Sequence, residues 1–491
     1  MALLAPLPEA ARSITASGLC FDSRKARPGA VFAAFAGANA SGRQYARQAM
    51  ESGCVAVVSD LAPPDGFPGM WLRVEHGRKA LALMARTFFA EAAAEIRVTG
   101  VTGTNGKTTT CYLVDAILRQ AGFKTALIGT IEYRVGDDVR PAPNTTPESV
   151  EIYEILDDLR GIGGTHASLE ISSHALELGR VWGLAVHTAV FTNLTQDHLD
   201  YHSTMEKYFA AKAELFRGQD APPPRHAVLN ADDAWARRIH TNAGTEVLWY
   251  SPSGQAGGGR MLRPHGVKSG FDGLRFRVEW DGAQYPVRSP LVARVNVANL
   301  LAAFGAGLSY GLSPGVIVQG LESCKAVPGR FERIDEGQPF LVVVDYAHTD
   351  DALRNTLSSA RALEPGRILT VFGCGGERDR KKRPLMGQAA GELSDYVVLT
   401  SDNPRGEEPL DIMNDALVGL CRTDTPHLCE PDRERAIRRA IEEAGPRDLI
   451  VIAGKGHESY QEIQGRKLPF DDRETARRIL RSFGYRKEAH A

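Results

Sequence analysis

Several things are scarce in this sequence. No stretch reaches the eighteen or so consecutive apolar residues of a membrane-crossing helix, so no span is expected. Neither sign of charge is in excess: 58 Lys and Arg stand against 60 Asp and Glu, a formal net charge of -2. Binding to a phosphate backbone is driven by surplus positive charge, so no nucleic-acid partner is expected and anion affinity must come from local sites. The seven cysteines, at 20, 54, 111, 324, 374, 421 and 429, include no C-x-x-C pair. In a long chain that scatter suggests neither a disulfide framework nor a structural zinc, and reduced cytoplasmic thiols are the simple reading. The opening MALLAPLPEAARSITASG has no basic n-region and carries Glu9 and Arg12 among its apolar residues, so it does not read as a secretory signal. A cytoplasmic protein is expected. There is no internal repeat; only SPSGQAGGGR (251–260) thickens in Gly and Ser, and it reads as a flexible loop.

What is present is an ordinary globular balance of 43% hydrophobic and 24% charged residues in 491 positions. At roughly 150 residues per domain that length predicts about three domains. Residues 1–90 mix short apolar runs (VFAAF, VAVV) with Gly/Pro turns and read as a small α/β domain. Residues 91–328 open on EIRVTGVT, a strand followed by a glycine loop and an amphipathic helix, and continue with strand candidates TALIGTI, HASLEI, HTAVFTNL and HAVLNA. Asp281-Gly282, flanked by alternating residues, predicts a hairpin, hence a small antiparallel patch. Residues 329–491 carry FLVVVDYAHT, RILTVFGCGG, DYVVLTSDNPR and DLIVIAGKGH, four strands each ending in a polar turn. The fold class expected is α/β: three domains, a central P-loop parallel sheet and a C-terminal Rossmann-like domain.

The strongest chemical signal is Gly103-Thr104-Asn105-Gly106-Lys107-Thr108-Thr109 at a strand-to-helix junction. Glycines let backbone N–H groups close around phosphates, Lys107 offsets their charge and Thr108 can ligate Mg²⁺, so ATP is the expected ligand. The spacing departs from G-x-x-x-x-G-K-[ST], with Val101 where the first glycine stands. Glu170, closing HASLE, and His198, in QDHLDYH, fall after strands on the same rim and could complete a Mg²⁺ site. Ser203 and Glu206 form a capping-box signature, so a helix should start near Thr204 and carry Met205, Phe209, Ala213 and Phe216 on its apolar stripe. Lys212 falls on that stripe. By the residues alone it either snorkels from the stripe's edge or is buried, and then paired, neutral or modified. Further on, Arg378 and Arg405 offer forked guanidinium groups and imply an acidic ligand. Of the run Arg378, Arg380, Lys381, Lys382, Arg383, all but Arg378 are alternatively a solvated basic face.

Taken together, GTNGKTT, LEISSH, FTNLTQDHLDYH, AAK (210–212), NVANLLAA, PGRFE, VVVDYAHT, GCGGERD, DNPR and AGKGHE occur in an order that resembles the Mur ligase family, over residues from about 20 to 460. The family consists of ATP-dependent amide ligases of peptidoglycan precursor synthesis. LDYH, DNPR and GKGHE look most like its branch that adds the third stem-peptide residue, and DNPR like the members that add meso-2,6-diaminopimelate to UDP-N-acetylmuramoyl-L-alanyl-D-glutamate through an acyl phosphate. The resemblance implies ATP at Gly103, Thr104, Asn105, Gly106, Lys107, Thr108 and Thr109, with Asn299, Arg330 and Asp345 near the nucleotide. It implies Mg²⁺ at Thr108 and Glu170 with His198 close by, a carbamylated Lys212, and catalytic roles for Lys107, His198 and Lys212. The UDP-muramoyl dipeptide would meet Phe21, Ser23, Ala38, Asn39, Ala40, Asn144, Thr145, Thr146, Ser172, Leu178 and Arg180. Ala38 and Leu178 depart from histidine and glutamine in some relatives. Diaminopimelate would meet Arg378, Asp402, Asn403, Pro404, Arg405, Gly454 and Glu458. A monomer acting on small molecules is implied. A folylpolyglutamate synthase or another Mur ligase would share the nucleotide site but not need the DNPR arginine, and a non-catalytic P-loop switch would need neither that arginine nor Lys212.

Overall fold

The computed structural model describes residues 8–37, 41–255 and 260–487. Ala38, Asn39 and Ala40, and residues 256–259 of the expected flexible loop, lie outside the described residues. The chain divides into two compact units: residues up to 263 with Asn299–Gly320, and Pro264–Ala298 with the chain from Leu321 onward. No described helix is long and apolar enough to cross a membrane.

The first unit holds two sheets. One is all parallel, in the order Gly18–Cys20, Ala30–Ala34, Ala56–Ser59, Trp71–Arg73. The helix Gly77–Phe88 follows it and buries the small residues Ala80, Ala82 and Ala85 with Leu81. The other runs Glu246–Tyr250, His226–Asn230, Thr188–Phe191, Arg97–Thr102, His166–Glu170, Thr125–Ile128, all parallel, and continues into two antiparallel strands, Glu132–Val135 and Asp138–Pro141. Burial on both faces explains why the parallel strands read as unbroken apolar runs: Thr188–Phe191 and Thr125–Ile128 are buried throughout. The antiparallel pair has no such signal, because Asp138–Pro141 is exposed along its whole length. The helix Lys107–Gln120 buries Leu113, Val114, Ile117 and Leu118, the face expected.

In the second unit a six-stranded sheet has the order Glu332–Ile334, Leu341–Asp345, Leu449–Ala453, Ile368–Phe372, Tyr396–Leu399, His427–Cys429, parallel except for the first strand. Separate hydrophobic clusters cover its two faces, one around Leu353, Phe372 and Met386, the other around Ile437, Ile450 and Ile479. All four expected strands are present, and their carboxyl ends bring Asp345, Gly373, Asp402 and Gly454 to one rim. The expected hairpin forms from Gly273–Trp280 and Ala283–Ser289 and groups with this unit. Asp281 (φ 49°) and Gly282 (φ 74°) are both left-handed, as a two-residue turn matching strand twist requires.

Candidate active site

The phosphate loop leaves strand Arg97–Thr102 and enters helix Lys107–Gln120 through Gly106, which sits at φ 86° and gives the helix no side-chain cap. The first helical N–H groups are therefore open to an anion, which fits a phosphate. A Cβ at Gly106 would fall 2.3 Å from Asn299 Oδ1, so only glycine lets the loop lie against that asparagine. Lys107 Nζ donates to the carbonyls of Gly103 (2.9 Å) and Thr104 (2.7 Å). The loop is braced from the neighbouring strand: Thr192 Oγ1 donates to Asn105 O, and Asn193 Oδ1 accepts from Asn105 N.

Glu170 is 1% exposed at the end of strand His166–Glu170. Its Oε2 accepts from Thr108 Oγ1 (3.0 Å) and Thr130 Oγ1 (3.1 Å), its Oε1 from Thr130 N (2.9 Å). All three donors are neutral, so none of these hydrogen bonds brings the buried carboxylate a positive charge. A buried carboxylate held by neutral donors is a site that a cation stabilises. One carboxylate and one hydroxyl beside a phosphate site suit Mg²⁺, which keeps waters and phosphate oxygens in its shell. The described residues contain no cluster of three or more His, Cys, Asp or Glu able to cage a metal by themselves. His198 makes no described hydrogen bond to Thr108 or Glu170. It heads the turn Leu199–His202 at φ 52°, its ring against His174 (4.9 Å between centroids) and near Tyr208 (6.0 Å).

Lys212 does not snorkel. It is 1% exposed, its Nζ donates to Gly103 O at 2.8 Å, and it lies 4.6 Å from the Tyr208 ring centroid. Burial, with repulsion from Lys107 added, holds its amine far below the ordinary lysine range. The carrying helix runs Met205–Ala213, and its cap is Thr204, whose side chain accepts from Lys207 N. The expected cap, Ser203, is displaced because it takes φ 66° at the end of the preceding turn. The buried face includes Tyr208, while Met205 and Phe209 are only half-buried.

The segment Asn144–Thr146 is tied to the same carboxylate strand. Thr145 Oγ1 meets Thr130 Oγ1 (3.0 Å), and Thr146 Oγ1 donates to Glu170 O (2.8 Å) and accepts from Ser172 N (3.1 Å). Arg180 Nη1 donates to Thr146 O, and its Nε faces Glu148 Oε1 at 3.1 Å. Arg78 reaches that same oxygen at 3.2 Å, with its guanidinium over the Phe35 ring, on which Phe21 stacks. Phe21, Asn144, Thr145, Thr146, Ser172 and Arg180 thus join the phosphate loop in one chain of contacts. Ser23 Oγ instead donates to Gln48 Oε1. Leu178 is half-buried at the end of helix Ser173–Leu178 and adds no polar group.

Arg330 and Asp345 belong to the second unit. Asp345 is fully occupied within its own turn, accepting from Phe331 N, Ala347 N and Thr356 Oγ1, and burial raises its carboxyl pKa. Arg330 lies over the Tyr346 ring (5.1 Å), with its Nε buried and unpartnered.

The DNPR turn, Asp402–Arg405, follows strand Tyr396–Leu399. Asn403 Nδ2 donates to Glu458 Oε2 (2.8 Å). Gly454, at φ 115°, passes so close that a Cβ would fall 2.4 Å from Asp402 Oδ2. Arg405 (φ 54°) is bridged to Ile463, and its guanidinium donates to Gly376 O with Nε 3.5 Å from Glu462 Oε2. Pro404 lies against Gly376, and Arg378 is exposed on the adjoining turn. The basic run is no solvated face at its end: Arg383 is 2% exposed and paired with Glu407 and Asp415.

Family models for the "Mur ligase family, catalytic domain", the "Mur ligase middle domain" and the "Mur ligase, glutamate ligase domain" match residues 15–89, 101–307 and 329–456. A relative from Solibacter usitatus, named UDP-N-acetylmuramoyl-L-alanyl-D-glutamate–2,6-diaminopimelate ligase, is 57% identical over 97% of this chain and 96% of its own. The chain belongs to the Mur ligase family. An Aquifex aeolicus protein of the same name is 41% identical over 94% of this Mur ligase and 93% of its own length. A solved structure under that name is 34% identical, covers 96% of this chain and 95% of its own, and superposes with a TM-score of 0.70. MurF from Thermotoga maritima in complex with ADP, at 19% identity and TM-score 0.63, shares the fold.

Several residues of this Mur ligase's site escaped sequence reasoning. Thr130, Glu148, Arg78 and Tyr208 act through side-chain contacts between segments far apart in the chain, and nothing in their local pattern marks them. Arg433 and Asp472, both fully buried, pair at 2.7 Å, and Arg433 also donates to Ser401 O and Ala453 O beneath the two pocket turns. Two amphipathic helices with a charge on the buried face were the only available signal.

Proposed function

We propose that this Mur ligase is an ATP-dependent ligase that adds meso-2,6-diaminopimelate to UDP-N-acetylmuramoyl-L-alanyl-D-glutamate. The observation that carries the reading is the Asp402–Arg405 turn with Glu458, where a guanidinium and two carboxylates stand together as an amino-acid end requires. The names of relatives at 57% and 41% identity support the same choice.

In this reading Gly103–Thr109 and Asn299 bind ATP, and the open amides of helix Lys107–Gln120 hold phosphate oxygens. Lys107 leaves its loop carbonyls to offset γ-phosphate charge. Thr108 and Glu170 would hold Mg²⁺ with His198 nearby; the ion supplies charge neutralisation at the transferring phosphoryl group. Phe21, Ser23, Asn144–Thr146, Ser172 and Arg180 orient the UDP-muramoyl dipeptide. Its D-glutamate γ-carboxylate attacks the γ-phosphorus, ADP leaves, and an acyl phosphate forms. The amine of diaminopimelate then attacks the acyl carbon, phosphate leaves, and the amide remains after loss of a proton. Burial disfavours the charged form of Lys212 and so favours its amine as a nucleophile for CO₂; the carbamate so formed, with loss of a proton, would place an anion beside Mg²⁺. Residues 1–90, 91–328 and 329–491 divide the work between sugar nucleotide, ATP and amino acid. The enzyme acts on small molecules, as a monomer in the cytoplasm; the seven free thiols fit that compartment.

Phosphate release and product mass with ATP, Mg²⁺ and the UDP-muramoyl dipeptide, compared between meso-diaminopimelate and L-lysine, test the proposal. Condensed product with diaminopimelate alone is expected. Preference for lysine would overturn the assignment of Arg405, and ADP without amide product would overturn the ligase reading.

A further inference from the structure

The pocket around the DNPR turn contains a buried cation that no role above employs. Lys455 follows strand Leu449–Ala453 and is 0% exposed. Its Nζ donates to Asn403 Oδ1 (3.0 Å) and to Glu458 Oε2 (3.1 Å), 5.6 Å from the Tyr460 ring. An asparagine amide has a donor end and an acceptor end of nearly the same shape, so its orientation is set by what surrounds it. An ammonium can only donate. Lys455, with Glu462 N at 2.9 Å, therefore fixes the carbonyl end of Asn403 and turns its Nδ2 onto Glu458 Oε2 (2.8 Å).

Two consequences follow for a ligand. Glu458 Oε2 is saturated by two donors, while no described residue donates to its Oε1. The side chain of Asp402, 7% exposed, likewise accepts no described hydrogen bond. Both carboxylates offer free oxygens of fixed direction. The charges also alternate in sign: Glu458 stands on Lys455, Glu462 beside Arg405, and the buried Arg433 acts electrostatically on Asp402 and Glu458. A pocket with both signs held apart complements a zwitterionic amino-acid end. Without Lys455, Glu458 would lose its paired ammonium, and Glu458 and Asn403 would be free to turn toward each other or away.

We infer that Lys455 is a positioning residue: by holding Asn403 and Glu458 in one arrangement, it sets the enzyme's requirement for the distal ammonium of its amino-acid substrate. This inference rests on the diaminopimelate reading. It is tested by comparing meso-diaminopimelate with 2-aminopimelate, which lacks the distal amine, in the wild-type enzyme and in Lys455→Met. The ratio of the two kcat/KM values should fall about tenfold or more in the variant. The change should appear as a higher KM for diaminopimelate, with KM for ATP and for the UDP-muramoyl dipeptide unchanged. If Lys455→Met does not fold, Asn403→Asp tests the same lock, because it keeps the partner of Lys455 but replaces the donor on Glu458 by a repelling oxygen; the same fall in ratio is expected. An unchanged ratio, or a loss in kcat shared by both amino acids, overturns the inference while leaving the function intact. A wild-type enzyme that does not use diaminopimelate would instead sink the functional reading, and the role of Lys455 with it.

Discussion

Arg405→Ala separates the pocket's binding role from its structural one, because the backbone at this position does its work without the side chain. Arg405 N donates to Glu462 O and Gln464 N donates to Arg405 O, and both bonds survive truncation. The guanidinium loses one hydrogen bond to Gly376 O, worth about 1 kcal/mol. Its 3.5 Å approach to Glu462 involves side chains 22% and 26% exposed and is worth little. Melting should therefore shift by only about 2–4 °C. Catalysis should suffer far more. A half-buried guanidinium that pairs with the substrate's distal carboxylate leaves that carboxylate unmatched when removed, at a cost of about 2–5 kcal/mol. That corresponds to a fall in kcat/KM for diaminopimelate of roughly 30- to 5,000-fold, with KM for ATP unchanged. Arg405→Gly provides the control. The position sits at φ 54°, where alanine stays strained by about 1 kcal/mol and glycine does not. The glycine variant should melt at or above the alanine variant yet share its kinetic loss. Steady-state kinetics beside thermal melts decide the matter: a loss under about fivefold, a parallel rise in KM for ATP, or activity that tracks melting temperature would refute the carboxylate role.

Two further outcomes are expected. Lys212→Met should abolish ligation while raising the melting temperature in CO₂-free buffer, because it removes a buried amine that the unfolded chain would protonate. Folding here depresses the lysine pKa, so the unfolded state binds more protons over the window below the unfolded value of about 10.4, and the wild type gains stability as pH rises through it. The melting gap between variant and wild type should accordingly narrow between pH 7.5 and 9.5; a gap independent of pH would contradict the neutral amine. Asp472→Asn should lower unfolding free energy by about 3–5 kcal/mol in denaturant titrations, since Arg433 is left buried without its carboxylate, and a loss below about 1 kcal/mol would mean that the guanidinium finds water.

The chemistry that was legible in the sequence lies where one segment does everything. Gly103–Thr109 carries its own turn, amides, lysine and hydroxyl, so a reader of the chain finds strand, loop and helix in order. The parallel strands were equally plain, because burial on both faces leaves LVVV (341–344) and LIVIA no room for polar residues. Asp138–Pro141 was not, since an exposed edge strand imposes no alternation. The cap of the Lys212 helix was missed by one residue, as Ser203 and Thr204 have the same capping chemistry and only the φ of the preceding turn chooses between them.

The rest of the site was hidden for a different reason: its important pairs are made between segments that the sheet, not the sequence, brings together. Glu170 was visible as a carboxylate at a strand end, but its meaning comes from Thr108 and Thr130, 62 and 40 residues away, which give it hydrogen bonds and no countercharge. Lys455 was printed inside a recognisable GKGHE, yet its neighbours there say nothing of Asn403, 52 residues earlier. The same holds for Lys212, whose burial decided between two readings that composition left open. In each case the residue type announced a charge and only the fold revealed whether that charge was answered. Where it is answered by neighbours, as at Arg383 and Arg433, the group is structural. Where hydrogen-bonding capacity is left over, as at the Nε of Arg330 and the side chain of Asp402, the fold has left room for a ligand to use it.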